Sequence, residues 1–97
     1  MVVGCLEITL RIPEAHSLKE KRSVVRRCID RTKNKFDVAV AEVGLNDVHQ
    51  TAQIGIAAVA NDHSFVNSVL DKVVAFIEDD LLGRAEVESK RMELIHF

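Results

Sequence analysis

The chain has 97 residues, nearly half of them hydrophobic, with four Phe and neither Trp nor Tyr, a size and apolar content suited to one domain with its own core. Its two cysteines, Cys5 and Cys28, form no CxxC pair and no disulfide framework, so a reducing compartment is expected. No apolar run approaches the roughly 20 residues of a membrane helix, and no basic segment followed by a long apolar stretch marks a signal peptide. These features predict a soluble, cytoplasmic protein.

Val2 to Ile12 alternates, with Val2, Leu6, Ile8, Leu10 and Ile12 on one face and Cys5, Glu7, Thr9 and Arg11 on the other. That period predicts a half-buried strand, ended by Pro13. Ser17 then starts a helix, because its hydroxyl can accept a free N–H while Glu20 reaches back in a capping box. Leu18, Val25, Cys28, Ile29 and Thr32 fall on one helical stripe. Phe36 to Val43 reads as a second strand, Gly44 to Gln50 as a turn, and Thr51 to Ala60 as a third strand. Asn61 to Ser64 supplies helix-start chemistry. Val66, Val69, Leu70, Val73, Ile77 and Leu81 mark the second helix, and Gly83 closes it. Ala85 to Phe97 forms the last strand. There Val87, Ile95 and Phe97 share one register while Met92 and Leu94 share the other, which predicts a bulge or a strand covered on both faces.

The order β-α-β-β-α-β is the split pattern of the ferredoxin-like fold, an α+β architecture. It predicts a four-stranded antiparallel sheet in spatial order 4-1-3-2, with two helices on one face and one domain spanning 1–97. Two stretches carry a further likeness. "SLKEKRSVV" at 17–25 and "VAEVGLNDVHQTAQIGIAAVAND" at 40–62, with the helix that follows, resemble the bacterial YlxP-like family of uncharacterised small proteins. The resemblance implies the same fold. It also implies a gene often placed beside those for translation initiation and ribosome maturation, hence a ribosomal setting, and it brings no catalytic or binding residue with it.

Charge is nearly balanced overall, 13 basic against 15 acidic residues, but it is unevenly placed. Ser17 to Lys35 holds eight basic residues and two acids, Glu20 and Asp30. Such asymmetry concerns partners and association, not fold. Lys19, Lys21, Arg22, Arg26, Arg27 and Arg31 are the candidate anion- or RNA-binding residues. The first helix turn offers free N–H groups beside three of these cations, suited to a phosphate. Arg26, Arg27 and Arg31 extend a basic strip suited to a nucleic-acid backbone. The competing reading is a solvated face in which Lys19 or Arg22 pairs with Glu78, Asp79 or Asp80. Lys21 falls toward the core stripe, where its stem is expected to cross the core edge and keep its ammonium wet.

The sheet face away from the helices is small and apolar, with Ala41, Ala57 and Val59 as candidate dimer-interface residues. It lacks the aromatic side chains on which RNA-recognition-motif sheets stack bases. His16, His49, His63 and His96 form no HxH or HxxxH pair, and no carboxylate–histidine spacing is metal-like. Cys28 lies on the core stripe, where an inert thiol is the default. No glycine-rich phosphate loop or nucleophile elbow is present. The expected reading is a non-catalytic binding protein without cofactor or metal, contacting ribosomal RNA through the basic helix. The alternative is a dimeric interaction module whose basic helix meets an acidic protein.

Overall fold

The computed structural model describes residues 1–97. Its elements run β1 (Val2–Arg11), α1 (Leu18–Lys35), β2 (Ala39–Gly44), β3 (Thr51–Ala60), α2 (His63–Asp80) and β4 (Glu86–His96). The strands make one antiparallel sheet in the order β2-β3-β1-β4, which is the expected order read from the other edge. Both helices pack on one face of it. None of the helices is long and apolar enough to cross a membrane.

The alternation in β1 sets the core. Leu6, Ile8 and Leu10 point under the helices with Ala52, Ile54 and Ile56 of β3, and all are buried. From α2, Val66, Leu70, Val73, Val74 and Ile77 close down on them. Burying each of these larger side chains contributes roughly 1.5–3 kcal/mol, more than the intrinsic preference of any helix residue supplies. Gly4 marks a close approach of α2 to the sheet, since a Cβ there would lie 2.5 Å from a Val66 methyl.

Both helix starts use the chemistry of their sequence. Ser17 Oγ accepts from the Glu20 N–H, and Asp62 accepts from the Phe65 N–H. The Glu20 carboxylate reaches back one residue beyond the expected cap and accepts from the His16 N–H at 2.6 Å. At the far end of α1, Phe36 closes the helix instead of opening a strand: its N–H donates to the Thr32 carbonyl at 2.9 Å. Its ring meets Phe76 edge to face at 5.7 Å, so β2 begins only at Ala39. Gly83, at φ 82°, makes the left-handed turn after α2.

The mixed register of β4 resolves as a bulge. Ser89 pairs with Thr9 and Val87 with Leu10, leaving Glu88 as the extra residue. That insertion puts Val87 on the core side with Met92 and Leu94, while Ile95 opposes Val3 on the open side.

Cys28 sits in this core at 2% exposure. Burial pushes its thiol up from 9.0 to about 11; the neighbouring Thr32 hydroxyl offsets part of that shift, and the Asp80 charge adds to it. The unfolded thiol ionises first, so the folded state loses stability as pH rises from about 9 to about 11, and the loss is absent below that window. Because Cys5 is exposed and Cys28 buried, a thiol reagent at neutral pH is expected to label one site per chain in the folded protein and two in denaturant. Mass spectrometry of the labelled peptides reads this directly.

Candidate functional site

The outward flank of α1 carries a row of cations. Lys19, Arg22, Ser23, Arg26, Arg27 and Asp30 line a shallow furrow of about 530 Å³ with no hydrophobic wall. Helical spacing explains the grouping, since positions 19, 22, 23, 26, 27 and 30 succeed one another at three and four residues along one face. Lys19, Arg22 and Arg26 are exposed and enter none of the chain's three ion pairs.

The acidic end of α2 is used elsewhere than expected. Neither Lys19 nor Arg22 meets it. Asp80 instead takes Arg31 Nε at 2.6 Å and lies 4.0 Å from Arg27. The helices run antiparallel with Phe36 beside Phe76, so the last residue of α2 comes level with Arg27 and Arg31 rather than with the first turn of α1. Asp80 is mostly covered, at 8% side-chain exposure, while both arginines stay about half exposed. Arg31 and Arg27 therefore brace the two helices, and their outer N–H groups still face water.

Lys21 departs furthest from expectation. Its side chain is fully buried, and the ammonium is not wet. Nζ donates to the Leu45 carbonyl in the turn after β2 and lies 3.0 Å from Glu42 Oε2. That carboxylate oxygen has the ammonium as its one partner, an ion-pair contact rather than an aligned hydrogen bond. Lys21 is thus removed from the surface and joins α1 to β2. The first-turn N–H groups are likewise less open than the sequence implied, because Ser17 takes one and the Glu20 carboxylate stands over that end. The cations available to a partner, Lys19, Arg22 and Arg26, lie along the outer flank of the first half of α1.

The opposite side of the sheet is open. Cys5, Ala39, Ala41, Val43, Ala57 and Val59 are exposed there, and the Ala41, Ala57 and Cys5 side chains line a hollow of about 430 Å³. Val59 is 63% exposed; it pairs with Val3 of β1 and lies beyond the last β2 pairing, at Ala57. β4 adds Arg91 and Glu93 to this face, which its ambiguous register hid from the sequence reading. At the edge of the molecule, His63 Nδ1 and His96 Nε2 stand 3.1 Å apart. With ring planes 18° apart and centroids 5.2 Å apart, the two rings meet edge to edge across that contact rather than lying one over the other. One ring donates and the other accepts. Sequence spacing gave no sign of this pair, 33 residues apart; only the antiparallel return of β4 beside the start of α2 creates it. No three His, Cys, Asp or Glu side chains converge as a metal set.

Comparison with known proteins agrees with this architecture. Residues 3–92 match the model of a family described as "Protein of unknown function (DUF503)". The chain is 40% identical over 77 residues to "Uncharacterized protein YlxP" of Bacillus subtilis (strain 168), covering 79% of this chain and 84% of that protein. Among solved structures, a de novo designed protein with a ferredoxin fold matches with a TM-score of 0.61 at 16% identity, over 100% of this chain and 88% of that one. The intact alpha subunit of aIF2 from Pyrococcus abyssi matches with a TM-score of 0.52 at 18% identity, over 99% of this chain and 34% of that one. At such identities the structural likeness concerns the fold alone. A designed chain sharing it makes the same point: the architecture carries no function by itself.

Replacing Lys21 tests its place in the structure. Lys21→Ala leaves Glu42 and the Leu45 carbonyl without their cation, and is expected to lower unfolding stability by about 3 kcal/mol. Lys21→Met with Glu42→Leu removes both charges together and is expected to recover most of that loss. Urea unfolding of the two variants distinguishes a buried ion pair from a solvated lysine, whose removal would change stability by less than about 1 kcal/mol.

Proposed function

The chain belongs to the DUF503 family, and we propose that it is a non-catalytic binding protein that grips the phosphate backbone of a structured RNA, in a ribosomal setting, through the outer flank of α1. The observation that carries this reading is the furrow of Lys19, Arg22, Arg26 and Arg27, where three of the four cations have no acidic partner in the chain. Phosphates spaced along a nucleic-acid strand suit such a row, since each neutralised phosphate releases condensed counterions and adds to affinity. Ser23, between the cations, offers a hydroxyl that can donate to a phosphate oxygen.

The chemistry of the furrow favours backbone contact over base reading. It has no aromatic side chain on which a base could stack, and the two central strands have none either. The reading therefore expects affinity for helical or folded RNA with little sequence preference. The same flank would serve an acidic protein partner, the second reading, and salt dependence alone does not separate the two. The nature of the ligand does.

A triple charge reversal, Lys19→Glu with Arg22→Glu and Arg26→Glu, is the decisive variant because these exposed residues enter none of the chain's ion pairs. Its melting temperature is expected to stay close to that of the native chain. Binding to a ribosomal RNA fragment, read by filter retention or anisotropy across a salt series, is expected to weaken. The slope of log affinity against log salt should flatten by roughly 3. Full affinity in the variant would overturn the proposal. Native protein that ignores RNA but is retained from nuclease-treated extract by an acidic protein would establish the second reading in its place.

A further inference from the structure

The open face of the sheet carries two neighbouring rows of residues that complement each other. Strand pairing sets Ala41, Gly55, Glu7 and Arg91 in one row from edge to edge, and Ala39, Ala57, Cys5 and Glu93 in the next. On the β2–β3 side both rows are built only of Ala and Gly. On the β1–β4 side they hold one cation and two carboxylates. The chain's three ion pairs, Lys21–Glu42, Arg27–Asp80 and Arg31–Asp80, leave Glu7, Arg91 and Glu93 unpaired.

We propose that this face binds a second copy of the chain, through a twofold axis running across the strands between those two rows. A copy turned over about that axis lays each row on the other. Ala41 then opposes the partner's Ala39, Gly55 the partner's Ala57, and Arg91 the partner's Glu93, and every contact occurs twice. Glu7 meets the partner's Cys5, so no two carboxylates face each other. The charges select this register over its neighbours. An axis through the first row would set Arg91 on the partner's Arg91 and Glu7 on the partner's Glu7. An axis through the second would set Glu93 on the partner's Glu93. Like charges opposed at an interface disfavour those alternatives.

Side-chain size fits the same arrangement. Sheets packed face to face stand about 10 Å apart. Ala and Gly make the floor of the hollow on the β2–β3 side, leaving it open to apolar side chains from a facing copy. Val43, at 54% exposure, lines the hollow beside Gly55 as the apolar group to meet a facing copy, while in this register Val59 opposes the partner's Gln53 and Ile95 the partner's Ser89. At the β4 edge the long Arg91 and Glu93 side chains span the gap. The helices lie on the far side of the sheet, so the dimer leaves the cationic flank of α1 free on both outer surfaces. The interface stands or falls independently of the RNA reading.

Analytical ultracentrifugation over a micromolar concentration series tests the interface on five chains: native, Ala57→Arg, the single swaps Arg91→Glu and Glu93→Arg, and the double swap. The native chain is expected to sediment as a dimer. Ala57→Arg, which places an unpaired guanidinium at the centre, is expected to raise the dissociation constant on the order of a hundredfold. Its circular dichroism and melting should remain native, because the Ala57 side chain is exposed in the single chain. Each single swap should weaken association by about tenfold, and the double swap should restore it by reversing both reciprocal pairs. A native chain that stays monomeric throughout overturns the proposal. So does a folded Ala57→Arg variant that still dimerises, which would point to strand pairing at the β2 edge, or a double swap no tighter than the single ones.

Discussion

One buried ammonium orders the rest of the molecule. Lys21 leaves α1 on its inner face, passes between helix and sheet, and ends against the Leu45 carbonyl and the Glu42 carboxylate. Taking an ammonium out of water costs several kcal/mol, so the site persists only while both oxygens are in place. Those oxygens belong to the end of β2 and to the first residue of the turn after it. Leu45 holds a left-handed backbone, φ 57°, which a leucine adopts only under constraint. The lysine hydrogen-bonds the carbonyl of that residue. Helix, strand and turn are thereby fixed to one another through a single side chain, and a rotation of α1 that exposed Lys21 would also disturb the turn.

The orientation of the other cations follows. With Lys21 pointing inward, residues 19, 23 and 26 face away from the sheet and residue 22 lies to the side. Their exposure is a geometric consequence of the buried lysine, not of a general excess of charge. The second constraint is Asp80, which takes Arg31 and approaches Arg27 from the end of α2. Six of the eight basic residues between Ser17 and Lys35 therefore divide by their contacts. Lys21 is a core strut, Arg27 and Arg31 are braces between helices, and Lys19, Arg22 and Arg26 enter no ion pair. The sheet's two faces divide in the same way. One is filled by the helices, and the other is left small and apolar with a charged edge at β4.

Most of the fold was legible because local chemistry and long-range packing agree. The alternation of β1, the Ser17 and Asp62 caps and the α2 stripe each point to the element that forms, and β3 runs over the residues its pattern predicts. What escaped did so for identifiable reasons. In β4 the Glu88 bulge breaks the two-residue period, so Arg91 and Glu93 gave no sign of which face they join. Lys21 escaped because a lysine on a core stripe is read as an amphipathic stem with a wet tip. Its partners lie 21 and 24 residues away, beyond any helical or strand spacing. The positions of Lys19, Arg22 and Arg26 were legible, but their freedom from pairing was not, since that depends on where α2 ends relative to α1.

The cations near the start of α1 also bear on what the helix is for. A helix N-terminus carries partial positive charge, so Lys19 and Arg22 in the first turns oppose the macrodipole, and Glu20 alone among the first-turn residues favours it. Phe65 and Val59 show the same kind of inconsistency in apolar form, each more than half exposed without a contact that asks for it. A sequence selected for folding alone aligns charge, propensity and burial at every level, and departures gather where another requirement intervenes. The electrostatic departures lie on the outer flank of α1, and among the apolar ones Val43, Val59 and Ile95 lie on the open sheet face. The helices and the open sheet face are opposite sides of one sandwich, so the proposed RNA flank and the proposed dimer face do not overlap.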